Sequence, residues 1–292
     1  MIFEDTQPGP GAVERLTNNW KPTARYLFKV EVHVYAFSMA ANVLLSFFPF
    51  LIVIVTICRY VLGWRAAEDV ILLALRDYFP NDLGKFIERN LLVAVSSRRT
   101  LPLVSLLLLL YTANGIFLPL EVALNRAWGI RKDRAYFKNQ LVSLMLTFAC
   151  GVLVLISAVL GVFNQQVWTR VAGPESQWAS MGALTAFKVA LLPVSILLLI
   201  LIYRLLPNAK VPLRPILPVA IVVGLALEAL KYINATTWAW LNAKLSDEYG
   251  PFHYSVTILL WSFLASMVVL AGAEWAARRA TPGELQSTQE SG

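Results

Sequence analysis

Six long apolar runs constrain this chain more than any other feature. They cover residues 35–57, 103–124, 141–163, 183–206, 216–238 and 254–277. Each holds about 22 to 24 residues, and about 20 helical residues cross the hydrocarbon core of a bilayer. The runs are continuous rather than alternating, which selects helices over barrel strands. Composition agrees: 58% of residues are hydrophobic and only 15% charged, too little charge to cover a soluble surface. The expected fold is therefore all-α, a polytopic membrane protein with six transmembrane helices. Residues 1–32 form an N-terminal segment, 33–280 the transmembrane domain, and 281–292 a polar, disordered tail.

Basic residues in the connections set the orientation. Fourteen lie on the side of the two termini and eight on the other, six of them in the single long loop 64–99. That loop also carries Glu68, Asp69, Asp77, Asp82 and Glu88. The bias places both termini in the cytoplasm. It also gives the net charge of +7 a cause other than nucleic acid, which is not an expected partner; membrane lipids are. Cys58 and Cys150 sit inside apolar runs and read as small hydrophobes rather than a disulfide framework. The polar, proline-containing first 30 residues do not read as a signal peptide, so targeting falls to the first apolar run.

The loop 64–99 is itself helical in pattern. Residues 66–79 suit a helix ending at Pro80, and Asn81 or Asp82 can cap a second one. In the second, Leu83, Phe86, Ile87, Leu91, Ala94 and Val95 form one stripe. This amphipathic helix either lies on the outer leaflet or packs as a lid on the bundle.

Ionisable and amide side chains inside the apolar runs are the candidates for function, because each needs a partner or a wet cavity. Glu228, Lys231 and Asn234 recur every three residues on the fifth run and share one face. Glu228 lies about 18 Å into its helix, near the expected midplane. The face is either a self-neutralising pair that fixes packing or part of a substrate or ion pathway. Lys188, early in the fourth run, either snorkels to the interface or turns inward toward Glu228. Glu121 and Asn125, one turn apart beside Arg126, form an interfacial anchor cluster or a gate, and Glu274 reads in the same way. Asn42 is expected to act as packing glue between helices. Pro49, Pro119 and Pro193 interrupt the first, second and fourth runs and are hinge candidates.

Catalytic signatures are missing from the sequence. There is no HExxH, CxxC, Walker loop or GxSxG elbow, and no carboxylate cluster for two metals. No cofactor, metal or catalytic residue is expected.

Four segments resemble the YihY/BrkB family of bacterial inner-membrane proteins. They are AANVLLSFFPFLIVI (40–54), LEVALNRAWGIRKDR (120–134), YRLLPNAKVPLRPILPVAIVVGLALEALKY (203–232) and ILLWSFLASMVVLAGAEWA (258–276). The likeness runs in order over about 20–280. It implies a six-helix bundle in the inner membrane with both termini cytoplasmic. The family carries an old ribonuclease label and a virulence-factor name, and a role in moving a lipid or envelope precursor is the activity the resemblance implies. A non-transporting scaffold, with the basic 126–138 loop contacting partners or anionic lipid, is the alternative. Where the family often has Tyr-Gly-Ser before the last helix, this chain has Tyr249-Gly250-Pro251, and a proline there would stiffen an outer gate.

Overall fold

The computed structural model describes residues 21–61, 63, 71–72, 75, 79, 81–96, 100–130, 137–153, 156 and 192–280. Lys188, the expected tail from Thr281, most of the 66–79 helix and parts of the third and fourth runs lie outside the described residues. Among the described residues every regular element is helical and no strand occurs.

A short helix at 21–27 leads into α1 (Val30–Thr56), which closes in a π-helical turn at Ile57–Val61. Then come α2 (Asn81–Ser96) and α3 (Thr100–Trp128). The described parts of the next two apolar runs are α4 (Phe137–Leu153) and α5 (Leu192–Leu205). α6 (Leu213–Tyr249) and α7 (His253–Arg279) form a hairpin across one 3-10 turn, Gly250–Phe252. Two stretches of the described chain are long and apolar enough to cross a membrane, Val30–Tyr60 and the α6–α7 region Leu213–Arg279.

Several helices overrun the apolar runs that announce them. The fifth apolar run ends at residue 238, yet α6 continues to Tyr249. The extension is amphipathic: Trp238, Leu241 and Leu245 recur at helical spacing and are buried, while Lys244 and Glu248 face outward as an i,i+4 pair. Hydropathy falls where the helix does not. Gly250, at φ +51°, stops it, and Pro251 takes the following turn. There His253 Nδ1 donates to the Gly250 carbonyl at 2.6 Å. Pro49 and Pro119 do not end their helices, which run on past them for seven and nine residues. Each removes one ladder hydrogen bond without breaking the rod. Pro193 lies in the described part of the fourth run, Leu192–Leu205, and the residues just before it lie outside the described ones.

α3 ends in a complete Schellman motif. Gly129 takes φ +68°, its N–H bonds to the Arg126 carbonyl at 3.2 Å, and the Ile130 N–H reaches back to the Asn125 carbonyl at 2.8 Å. A side chain at Gly129 would be strained, so Gly129→Ala is expected to cost about 1 kcal/mol, read as a lower thermal midpoint in detergent.

α1 packs along α3 and α7, and α6 along α7. Two apolar clusters result, one at each end. The first joins Ala36, Leu124, Trp128, Tyr203, Val219 and Ala273. The second joins Val55, Cys58, Trp238 and Ile258 to Leu83, Ile87, Leu91 and Val95 of α2. The α2 stripe therefore faces the bundle as a lid. Phe86 stacks on Tyr254 at 4.7 Å between ring centres, which ties the lid to α7. Elsewhere large apolar side chains point outward, among them Leu107 and Phe148 at 68% and 69% exposure, a surface suited to lipid.

Candidate functional site

Between the two apolar clusters the bundle is not filled. Met39 of α1 belongs to the first cluster and Leu51 to the second; between them, Val43 and Phe47 line a cavity of about 330 Å³. On α6 the same interval, between Val223 and Trp238, contributes Glu228, Lys231 and Asn234. The sequence-predicted face thus opens onto one cavity. Its other walls are mostly apolar, with Trp261 and Ser262 of α7 and Ser195 of α5 adding polar groups.

Lys231 Nζ and Glu228 Oε1 are 2.8 Å apart, with side chains only 7% and 21% exposed. A buried charge of either sign is costly alone, and the pairing at hydrogen-bond distance offsets much of that cost. The Lys231 ammonium also lies 5.6 Å from the Tyr232 ring centre, a cation–π contact. Asn234 is 6% exposed. Among the described residues, its Oδ1 and the indole Nε1 of Trp261 are buried without hydrogen-bond partners. Two orphaned groups, an acceptor and a donor, on residues of α6 and α7 that line one cavity are unusual, since buried polar atoms are nearly always satisfied. Sequence reasoning missed Trp261. The available signal was its place inside an apolar run instead of at a run's end, where membrane tryptophans concentrate.

The other candidates lie elsewhere. Asn42 packs against Gly115 so closely that a Cβ there would fall 2.0 Å from its Oδ1, while its Nδ2 donates to the Ser38 carbonyl at 2.8 Å. It lies where α1 and α3 touch.

Glu121 and Asn125 sit at the opposite end of the bundle from α2. Both are buried. Asn125 Oδ1 accepts the Asn208 N–H at 2.9 Å, which pins the α5–α6 connection to the end of α3. Arg126 pairs with Glu31 of α1. Glu274 takes a two-pronged hydrogen bond from Arg278, at 2.8 and 3.1 Å, and a third from Thr23 at 2.9 Å. Of these groups Glu31, Arg126 and Glu274 line a second cavity of about 340 Å³ that shares no residue with the first. Tyr26 lines it; burial, then the negative charge of Glu274, pushes its phenol up to about 12. The folded chain holds that proton through a window in which the unfolded chain has lost it. Stability is therefore unaffected by Tyr26 below pH 10 and falls as pH rises from 10 to 12. Tyr26→Phe is expected to flatten that fall in denaturation measured across the window.

Among the described residues, no three of His, Cys, Asp and Glu come together as a metal-binding group.

Comparison with known proteins places the chain. Residues 25–291 match the family described as Virulence factor BrkB. A putative ribonuclease-like protein, YfkH, of Bacillus subtilis is 24% identical over 239 residues, covering 79% of this chain and 84% of that one. A UPF0761 membrane protein of Chlorobium chlorochromatii is 27% identical over 283 residues, covering 94% of this chain and 62% of its own. Another from Pseudomonas aeruginosa is 27% identical over 206 residues, covering 70% and 49%. The chain thus spans about half to two-thirds of the UPF0761 relatives' length. No solved structure matches. With a family match over nearly its whole length and apolar helices of membrane-crossing size, this chain is a membrane protein of the BrkB family.

Proposed function

We propose that the chain crosses the bacterial inner membrane six times, with both termini cytoplasmic, and moves a lipid, envelope precursor or other small molecule through the cavity beside α6. One observation carries this reading: Glu228, Lys231 and Asn234, charged and polar groups near the middle of a long apolar helix, line a shared cavity. Intramembrane ionisable residues on a cavity mark pathways by default. The outward-facing leucines and phenylalanines provide the lipid-facing surface. The lid α2 and the aromatic contact of Phe86 with Tyr254 cover the end expected to face outward. The sequence carries no nucleotide-binding signature, so movement is passive or driven by an ion gradient, with Glu228 as the proton carrier. We read the chain as non-enzymatic, and the ribonuclease-like name of the Bacillus relative is not carried over to it.

A scaffold role is the second reading. The closed 2.8 Å pair favours it, since a pair that neutralises itself serves packing; a scaffold has no need of the cavity. Proteoliposomes separate the two. Labelled phospholipid and lipid A-type precursors are followed with and without a pH gradient. The expected result is movement by wild type that Glu228→Gln/Lys231→Met reduces at least tenfold. A well-folded wild type that moves nothing overturns transport in favour of the scaffold.

A further inference from the structure

We infer that the α6 cavity is a receptor for a zwitterionic amphiphile, a head bearing one ammonium and one phosphate or carboxylate on an apolar tail. The inference deepens the transport reading and rests on it for its biological sense, though not for its chemistry.

The argument begins with charge. Glu228 and Lys231 cancel each other at 2.8 Å in a site where neither has much access to water. A ligand entering this site has to leave the summed charge near zero, because a net charge in a poorly solvated interior is heavily penalised. A simple anion would take Lys231 and leave Glu228 uncompensated; a simple cation would do the reverse. A zwitterion exchanges both partners at once. Its ammonium replaces Lys231 at the Glu228 carboxylate, and its anion replaces Glu228 at the Lys231 ammonium. Two ion pairs then stand where one stood, and the net charge is unchanged.

Two further groups fit the same ligand. The orphaned Asn234 Oδ1 is an acceptor and suits an ammonium N–H; the orphaned Trp261 Nε1 is a donor and suits a phosphate or carboxylate oxygen. Each lacks a partner among the described residues, and Asn234 is more than nine-tenths buried. The site therefore offers a carboxylate and an amide oxygen to the cationic part, and an ammonium and an indole N–H to the anionic part. The walls beyond them, with Val43, Phe47, Leu227 and Ile258, are apolar and suit a tail. A fully polar zwitterion would leave those walls unused.

The test uses full-length protein in a non-ionic maltoside detergent. It is titrated with dihexanoyl phosphatidylethanolamine, dihexanoyl phosphatidylglycerol and glycerophosphoethanolamine, the same zwitterionic head without a tail, and binding is read from the shift in unfolding midpoint. Phosphatidylethanolamine is expected to bind at least tenfold tighter than either of the others, and Glu228→Gln/Lys231→Met to abolish the preference. Asn234→Leu adds a readout that packing alone would not give. It removes an orphaned amide, so the unliganded protein should be as stable or more so, while phosphatidylethanolamine binding weakens about tenfold. Phosphatidylglycerol bound as tightly as phosphatidylethanolamine overturns the zwitterion assignment and leaves the transport reading intact. Glycerophosphoethanolamine bound as tightly overturns the amphiphile. Acyl-labelled phosphatidylethanolamine that binds yet does not cross proteoliposome bilayers overturns transport and leaves the receptor standing.

Discussion

Glu228→Gln alone is expected to lower the stability of the folded protein by about 3 kcal/mol or more, and Lys231→Met alone by somewhat less, with the double variant recovering most of the loss. Removing one member of a buried pair leaves the other charged and uncompensated, which typically costs about 3–5 kcal/mol, whereas removing both can be neutral. The order follows from exposure. Lys231 is only 7% exposed and Glu228 21%, so the ammonium is the worse charge to strand. The Tyr232 ring near Lys231 softens that loss by about 1 kcal/mol. Unfolding of all four proteins in one detergent closes the cycle. Additive single losses would show that the two side chains are not coupled, and the buried-pair account would be wrong.

The second large effect falls at Gly272. A Cβ built there lies 2.4 Å from both the Tyr203 hydroxyl oxygen and Val223 Cγ2. Tyr203 is fully buried, and its hydroxyl donates to the Val269 carbonyl at 2.8 Å. α5, α6 and α7 therefore meet at one glycine with no slack. Gly272→Ala would force the three helices apart or displace Tyr203 from its partner, at a cost of about 3 kcal/mol. Thermal unfolding in detergent checks it. Adding Tyr203→Phe should recover only part of the loss, since Val223 still blocks the methyl group.

The two sites differ in how far the sequence disclosed them. Glu228, Lys231 and Asn234 are legible because a spacing of three on a helix fixes a shared face without reference to anything else in the chain. The α2 stripe is legible for the same reason, and burial of Leu83, Ile87, Leu91 and Val95 selects the lid over the membrane surface. The contacts of Trp261 with the cavity, Tyr203 with Gly272 and Asn42 with Gly115 join residues tens to hundreds of positions apart, and no local period encodes them. The second half of α6 was missed for a different reason. Its apolar residues stay at helical spacing while polar ones fill between them, so a reading that follows hydropathy stops at residue 238 and the helix does not. At the end of α3, Asn125 is legible as an amide near a membrane end, whereas its bond to Asn208, 83 positions away, is not.

The most direct measurement fills the cavity and leaves its charges in place. Ala265 lines it from α7, and Ala265→Phe would occupy space there with Glu228, Lys231 and Asn234 all retained. Lipid movement in proteoliposomes and the unfolding midpoint are measured together for this variant and wild type. A cavity that serves as a pathway predicts at least a tenfold loss of movement, with the midpoint held or raised. Undiminished movement through a protein whose cavity is filled would contradict the account.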